Sequence, residues 1–321
     1  MSKIKFIAEL CQNHNGDFKN LVEMTKLCAK NGADIIKLQY IKSDTLSYRP
    51  KFEEGYKKNK KTLIIKRKFK DEYKRLKKLE ITDLQLKKFV KLCKQIKVEP
   101  CITCFTRGDV KKIKNLGFKT IKIASYDCSS FQLLREIKDT FRNIIVSTGA
   151  TFDDEIYNAS KILKNKNYSF LHCVTIYPTP INELNLNRVN FLKKYTPNVG
   201  FSDHSLGYGT KRNLASLLAI YHGANLIERH IRILNKKDTR DGKVSIEPQD
   251  ISIIKKFSLL NKNRQKNYLK NNFNYNFKKA LGNKTRQLSH TELLNRDYYR
   301  GRFVTKKFFR EIYNWEETKY D

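Results

Sequence analysis

The 321-residue sequence has few acidic residues, few prolines and no long apolar run. It contains 32 Asp and Glu against 66 Lys and Arg, so its formal net charge is +34. Forty per cent of the residues are hydrophobic, which is enough for a large core and excludes a wholly disordered chain. No apolar run reaches the roughly 18 residues that a membrane-spanning helix needs, so we expect no transmembrane segment.

A secretory signal and a disulfide framework are also missing. The first residues, MSKIKFIAELCQNHNG, lack the long apolar stretch and small-residue cleavage site of a signal peptide. The 7 cysteines are odd in number, and none follows Cys173. These features predict reduced thiols and a cytoplasmic protein. Cys101 and Cys104 form one CxxC, but strand residues three apart point to opposite faces, which disfavours a zinc site.

The positive charge is a weak guide to partners. The sequence shows no zinc finger, no RNP-like aromatic signature and no basic heptads, so we expect no specific nucleic acid. A general bias toward Lys, Asn, Ile and Tyr would spread positive charge over the whole surface. Anionic ligands, or loose association with an acidic membrane surface, remain open.

Short β-rich runs alternate with helical patterns along the chain. Parallel strands joined by helices give this alternation, and eight such units predict an α/β protein with a (β/α)8 TIM barrel. The rival, an open doubly wound sheet, is weakened because no GxGxxG follows the first strand. The eight predicted strands cover residues 5–10, 33–41, 99–105, 119–125, 143–147, 169–175, 198–203 and 225–231.

Two segments fall outside the barrel repeat. Residues 1–282 would form the barrel, with residues 42–80 as an insertion after the second strand. A loop of this length is usually a lid or another functional element, or it is disordered. Residues 283–321 are interpreted as a short, linker-like basic extension.

Polar side chains at the predicted strand ends are unusual for a barrel core. Lys37 and Gln39 share one face of the second strand, and Lys122 lies between two isoleucines on the fourth. A buried lysine is costly unless an anion pairs with it, so two of them predict one anionic ligand. The alternative is that each lysine extends to the rim.

Two histidines, His204 and His230, end the seventh and eighth strands. Neighbouring strand ends would bring them together as ligands of one transition metal. Hydrogen-bonded core histidines are the alternative. Further polar residues at strand ends are Asn13, Thr103, Asp127, Ser147 and Tyr177.

Several motifs occur in an order that resembles the sialic acid synthase family, which includes N-acetylneuraminate, legionaminate and pseudaminate synthases. They are IAELCQNHNGD, GADIIKLQYIKSDTL, FKTIKIAS, IIVSTGA, LHCVTIYPTP, GFSDHSLGYGT and LIERHIRI. The resemblance covers about residues 4 to 282. It implies a barrel that condenses phosphoenolpyruvate with an N-acylated amino sugar, giving a nine-carbon α-keto acid and phosphate. It also implies a homodimer and a divalent metal, Mn²⁺ first and Mg²⁺ or Co²⁺ as alternatives.

The resemblance also assigns roles to residues. Asp127 would orient or deprotonate the attacking water, and Lys37 and Lys122 would stabilise the phosphate and carboxylate charges. His204 and His230 would bind the metal. The remaining residues expected to bind substrate are Asn13, Gln39, Thr103, Ser125, Ser147, Tyr177, Ser202 and Asp241.

The end of the sequence departs from the family pattern. Members usually end in an antifreeze-like domain that closes the partner subunit's site and supplies an arginine, and residues 283–321 do not match a complete one. We expect residues 42–80 or 298–313 to fold over the strand ends of the same or a neighbouring subunit. Arg300 and Arg302 are candidates for the arginine. A solvated tail is the alternative.

Two other functions stay open at this stage. One is a non-catalytic or regulatory relative that binds a partner or an acidic surface, which the charge and the altered end suggest. The other is a different phosphoenolpyruvate-using barrel, such as an eight-carbon sugar acid synthase, which the SDHS and NHNG motifs disfavour.

Overall fold

The fold is a closed parallel β-barrel surrounded by helices, as the strand–helix alternation predicts. The computed structural model describes residues 4–273 and 278–318. Its strands are β1 (Lys5–Glu9), β2 (Ile35–Gln39), β3 (Tyr56–Lys58), β4 (Lys61–Ile64), β5 (Glu99–Cys104), β6 (Thr120–Ile123), β7 (Asn143–Ser147), β8 (Asn167–His172), β9 (Val199–Asp203), β10 (Leu226–His230), β11 (Thr305–Lys307) and β12 (Arg310–Ile312). The barrel order is β1-β10-β9-β8-β7-β6-β5-β2.

Helices follow the barrel strands, and further helices lie in the 42–80 insertion and after the last barrel strand. They are α1 (Phe18–Lys30), α2 (Lys51–Glu54), α3 (Phe69–Lys77), α4 (Asp83–Gln95), α5 (Val110–Asn115), α6 (Phe131–Thr140), α7 (Asp153–Leu163), α8 (Asn187–Leu192), α9 (Leu214–Tyr221), α10 (Pro248–Ser258), α11 (Lys262–Phe273), α12 (Lys278–Leu281) and α13 (His290–Tyr299). None of the described helices is long and apolar enough to cross a membrane.

Local sequence explains where these helices begin. The side chain of Asp17 accepts a hydrogen bond from the Lys19 amide and caps α1, and Thr82 and Gln85 form a reciprocal capping box at α4. Buried residues spaced three or four apart then hold α1 against the barrel, among them Leu21, Met24 and Cys28.

Side-chain alternation divides the barrel interior into layers. The lower layer is apolar and consists of Ile7, Ile35, Cys101, Ile145, Leu171 and Leu226. Two residues further along the strands, the inward positions become polar. The register pairs Glu9 with Lys37, Thr103 with Lys122, and Ser202 with Glu228. The carboxyl ends of the strands therefore carry a ring of charged and hydroxyl side chains above an apolar base.

The two cysteines of the CxxC lie on opposite faces of β5. Cys101 belongs to the apolar layer inside the barrel, whereas Cys104 packs in the core between strands and helices. All seven cysteines are free and buried. The CxxC is part of the packing on both sides of the strand.

The 42–80 insertion is folded. It contains α2, the β3–β4 hairpin and α3, and its Phe52 and Leu76 side chains are buried. The main chain of Leu46 also forms a β-bridge with Phe303, far along the sequence. The insertion thereby joins the C-terminal segment at the open end of the barrel.

The segment 283–318 is folded and lies over the strand ends of its own chain, which is one of the arrangements expected for residues 298–313; the linker-like, solvated tail was the alternative. It contains α13 and the antiparallel β11–β12 pair. Its main chain is bonded to the insertion, through Val304 N to Thr45 O at 2.9 Å and Ser47 N to Arg302 O at 3.0 Å. Residues 319–321, at the end of the segment, lie outside the described residues.

Candidate active site

A cavity of about 490 Å³ opens at the carboxyl ends of the barrel strands. Such a position is where (β/α)8 barrels build their active sites. Of the thirteen residues that the sequence nominated, all except Asn13 line it, namely Lys37, Gln39, Thr103, Lys122, Ser125, Asp127, Ser147, Tyr177, Ser202, His204, His230 and Asp241.

The base of the cavity holds two lysines and two glutamates. Lys37 and Lys122 are 3% and 4% exposed, so neither reaches the rim. Lys37 forms an ion pair with Glu9, and the Glu228 carboxylate lies 3.8 Å from Lys37 Nζ and 3.5 Å from Lys122 Nζ. The expectation that a ligand alone would balance these lysines is incomplete, because two carboxylates of the chain already do so.

These groups shift one another's ionisation. Burial lowers the pKa of Lys37 to about 8. Burial also opposes ionisation of Glu228, but the neighbouring Lys122 and Lys37 outweigh it and hold the pKa of Glu228 below its ordinary value. At neutral pH the base of the cavity is therefore charged but close to internally balanced.

Hydroxyl groups extend this network around the barrel. Lys122 Nζ donates to Ser147 Oγ at 2.7 Å, Lys37 Nζ donates to Thr103 Oγ1 at 3.2 Å, and Ser202 Oγ donates to Glu228 at 2.8 Å. The result is a ring of positioned polar groups whose remaining donors face the cavity.

The loop after β7 approaches β6 closely at Gly149. Its amide donates to Ser125 Oγ at 3.2 Å, and a Cβ at this position would lie 2.5 Å from the Cys173 sulfur. Only glycine permits this approach. The Ser147–Gly149 stretch and Ser125 consequently lie side by side at the cavity.

Asp127 follows β6 in a single 3-10 turn and is almost completely buried. Burial raises the pKa of Asp127 to about 6, although hydrogen bonds from Asn314 Nδ2 and Ser130 Oγ, both 2.9 Å, favour the carboxylate. A carboxyl group poised near neutral pH can act as a general base. One of its two donors comes from the C-terminal segment.

His204 and His230 lie together, as the neighbouring strands predict, with ring centroids 5.5 Å apart. His204 Nδ1 bonds to the Val174 carbonyl at 3.0 Å, whereas His230 Nδ1 is buried without a hydrogen-bond partner among the described residues. Burial lowers the pKa of both, that of His230 to about 4. Both imidazoles are therefore neutral and able to accept a ligand. The Tyr177 ring lies 4.4 Å from that of His204.

Asn13 lies behind the cavity instead of lining it, which corrects its expected contact with substrate. Its amide donates to the Ile231 carbonyl at 2.7 Å and to Ser245 Oγ at 2.8 Å, and its oxygen accepts from the Asp241 amide. All its hydrogen-bonding capacity is used to hold the loop after β10. Asn13 therefore positions Asp241.

The C-terminal segment supplies one wall of the cavity. Thr291, Asn295 and Tyr299, four residues apart on α13, face it, and the Tyr299 ring stacks on Tyr126 at 4.9 Å. Arg302 lines the cavity too, buried in an ion pair with Glu72. The other candidate, Arg300, lies outside it.

Sequence reasoning did not assign a role in the site to Glu9, Cys11 or Arg240, and from the two flanking segments it named only Arg300 and Arg302. Glu9 could have been found, because it is two residues beyond inward-facing Ile7 on the same strand. The others carry no local signal. They are Cys11, Arg67, Arg75, Arg240, Asn295, Tyr299 and Asn314.

These features define a (β/α)8 barrel with a buried, charged site at its strand ends, and the comparison with known proteins specifies its family. The NeuB family profile matches residues 24–266, and the chain belongs to this family. The sequence is 30% identical to N,N'-diacetyllegionaminic acid synthase of Campylobacter jejuni, covering 96% of this chain and 86% of that protein. It is 28% identical to a pseudaminic acid synthase of the same species, in a match that covers 99% of this chain and 86% of that protein.

A solved structure is similar over nearly the whole length. The N-acetylneuraminic acid synthetase of Leptospira borgpetersenii, determined in complex with citrate, superposes with a TM-score of 0.67 at 25% identity. The match covers 92% of this chain and 91% of that one.

Proposed function

We propose that this protein is a synthase that condenses phosphoenolpyruvate with an N-acylated amino sugar to give a nine-carbon α-keto acid and phosphate. The observation that supports this most directly is the polar ring of Lys37, Lys122, Ser147 and Ser202, which is buried at the strand ends of a NeuB-family barrel. Such a ring suits a small, multiply charged anion.

Phosphoenolpyruvate would sit above this ring. Because Glu9 and Glu228 already balance Lys37 and Lys122, extra positive charge must come from the mouth of the cavity. Arg67, Arg75, Arg240 and Arg302 line the cavity, and because Arg75 and Arg302 share one carboxylate, that of Glu72, the group keeps an excess of positive charge. Fixed donors at the base and guanidinium groups at the mouth would then hold the two anionic ends of the substrate.

Asp127 acts on the water molecule in this scheme. C3 of phosphoenolpyruvate forms the new bond to the aldehyde carbon, and positive charge develops at C2. Asp127 takes a proton from the water that adds to C2, while the former aldehyde oxygen takes up a proton. The C2 hydroxyl of the resulting tetrahedral centre then forms the keto C=O bond and loses its proton as the C–O bond to phosphate breaks. A buried carboxylate with a pKa of about 6 suits this role at neutral pH.

The residues around His204 and His230 fit a divalent metal, which we propose as the cofactor, with Mn²⁺ as the first choice. The support is that His230 Nδ1 is buried with no hydrogen-bond partner in the described part of the chain, and that burial lowers the pKa of both imidazoles. When bound, a divalent metal supplies Lewis-acid polarisation of the aldehyde oxygen.

Replacing either histidine by Ala is expected to abolish metal-dependent activity and leave the fold largely intact, and wild-type turnover in both variants would exclude this assignment.

Tyr177 and Asp241 would face the sugar, and the C-terminal segment would exclude bulk water from the C2 cation. Arg302 is the better candidate than Arg300 for the arginine that relatives take from a second domain, because it lines the cavity. The homodimer stays part of the proposal. The molar mass in solution tests the homodimer. Kinetics cannot test it, because the cavity is closed by a segment of the same chain.

The decisive experiment measures phosphate release by the purified chain with Mn²⁺, phosphoenolpyruvate and a panel of N-acyl hexosamines. We expect release that requires both the sugar and the metal, with a nine-carbon product by mass spectrometry. Absence of sugar-dependent release with every member of the panel would favour a non-catalytic relative instead. Release with a five-carbon aldose phosphate alone would favour an eight-carbon sugar acid synthase.

A further inference from the structure

Next to His230, a cysteine and a carboxylate lie close enough to share one ion with it. Cys11, His230 and Asp241 each present a ligand atom within 4.8 Å of the other two. Cys11 and His230 are buried, and Asp241 is partly exposed at the cavity wall. Cys11 follows β1, His230 ends β10, and Asp241 lies in the loop beyond, so three separate elements converge on this point.

The hydrogen bonds at this point leave one ligand atom without a partner. Cys11 Sγ donates to Asp241 Oδ2 at 2.9 Å, so a single proton separates the sulfur from the carboxylate. His230 Nδ1, in a side chain only 8% exposed, lies 3.8 Å from the same Asp241 oxygen and has no hydrogen-bond partner among the described residues. A buried imidazole nitrogen with no partner carries a desolvation cost that a bound ion would remove.

The Cys11 sulfur also accepts a hydrogen bond, and its backbone is held in place. Gln39 Nε2 donates to Sγ at 3.1 Å, and the Gln39 oxygen is in turn oriented by Gln12 at 3.5 Å. The Cys11 amide is bonded to Glu9 at 2.6 Å. Its backbone also holds a φ of 48°, in the left-handed region that cysteine seldom adopts. The surroundings thus hold the thiol in one orientation, toward Asp241.

We infer that Cys11 is a thiolate ligand of the bound divalent metal, together with His230 and Asp241. Binding replaces the proton between sulfur and carboxylate, which leaves to solvent. The inference rests on the metal in the proposed function and adds a sulfur donor beside His230. It gives Asp241 a ligand role in place of, or in addition to, its contact with the sugar.

A sulfur ligand changes which metals the site prefers. Thiolate and imidazole together favour Zn²⁺ and Co²⁺, whereas Mn²⁺ prefers oxygen ligands and lies lowest in the general order of affinities. We therefore expect the purified chain to bind Co²⁺ and Zn²⁺ more tightly than Mn²⁺. The difference in affinity between these metals and Mn²⁺ should become smaller when Cys11 is replaced by serine.

The experiment titrates the metal-free full chain with Co²⁺ and records the sulfur-to-cobalt charge-transfer absorption in the near ultraviolet. The wild type should develop this band with one equivalent of metal. Cys11→Ser should lose it and bind Co²⁺ about tenfold or more weakly, with a smaller loss for Mn²⁺. Cys93→Ser, a buried cysteine on α4, is the matched control and should keep the band and the affinity.

Other outcomes are equally clear. Co²⁺ binding without the band, an unchanged band in Cys11→Ser, or no metal binding at all would overturn the inference. Circular dichroism of each variant shows whether it has folded, and Asp241→Asn should weaken Co²⁺ binding while keeping the band, as a second test. The charge-transfer absorption does not depend on activity. Sugar-dependent phosphate release without the charge-transfer band would therefore overturn only this inference. The band without phosphate release would overturn only the proposed function.

Discussion

The base and the mouth of the cavity are built in different ways. At the base, barrel strands supply every charged group, and each lysine lies beside a carboxylate. At the mouth, three of the four lining arginines come from the 42–80 insertion and the 283–318 segment, and two of these, Arg75 and Arg302, share the single carboxylate of Glu72.

The difference separates two tasks. The base needs fixed geometry, which hydrogen-bonded strands provide and which costs little when charges are paired within the chain. The mouth needs to attract an anion and then exclude water, and segments outside the barrel can do this without altering strand packing. Each prediction below changes one region and leaves the other in place.

The largest effect is expected from Lys37→Met at the base. The change leaves Glu9 as a buried charge without its partner, which should lower the free energy of unfolding by about 3–5 kcal/mol and remove phosphate release. Denaturant unfolding measures this. The double variant Lys37→Met/Glu9→Gln should recover most of the stability but no activity, and Lys26→Met, on the exposed face of α1, should change neither.

Asp127→Asn tests the carboxyl group that links the two regions. Without a base for the attacking water, kcat should fall by about 10²–10⁴-fold, while the melting temperature stays near that of the wild type. Phosphate release under saturating substrates measures the change. Asp154→Asn on α7 serves as the control, and an Asp127→Asn enzyme of normal kcat would remove Asp127 from the mechanism.

At the mouth, Arg302→Ala should raise KM for phosphoenolpyruvate or the sugar by about 10–100-fold, the range expected for a lost charge-assisted hydrogen bond. Arg300→Ala should leave KM near the wild-type value, because Arg300 lies outside the cavity. Steady-state kinetics on both variants give the comparison. The reverse order of effects would mean that Arg300 moves into the site when substrate binds.

The smallest effect is expected from Asn314→Ala, which acts on Asp127 from the mouth. The carboxylate is the active form, so wild-type kcat/KM should fall as the pH drops through about 6. Asn314 donates a hydrogen bond to the ionised form of Asp127, so its loss should raise the pKa of Asp127. The acid limb of the kcat/KM profile should then move upward by about one pH unit. Asn187→Ala, whose amide bonds to Gly282 far from the cavity, should leave the limb where it is.

Sequence reasoning predicted the barrel, and most of the site residues that it named line the cavity. Lys37, Lys122, His204 and His230 could be named because alternation along a strand, and the motif order, place them at strand ends. Asn13 was placed in the substrate site because it lies in a strand-end motif, and only its contacts with Ile231 and Ser245 show that it supports the next loop.

Fold class and strand order follow from the sequence by itself, because periodicity and capping are local and repeat eight times. The charge balance and the closure of the site do not. Glu228 reaches Lys122 across 106 residues, and Asn314 reaches Asp127 across 187. Such contacts depend on how the barrel closes and on which surface the last segment packs against. Only the tertiary structure decided that the lysines have counter-ions inside the chain and that residues 283–318 cover the site.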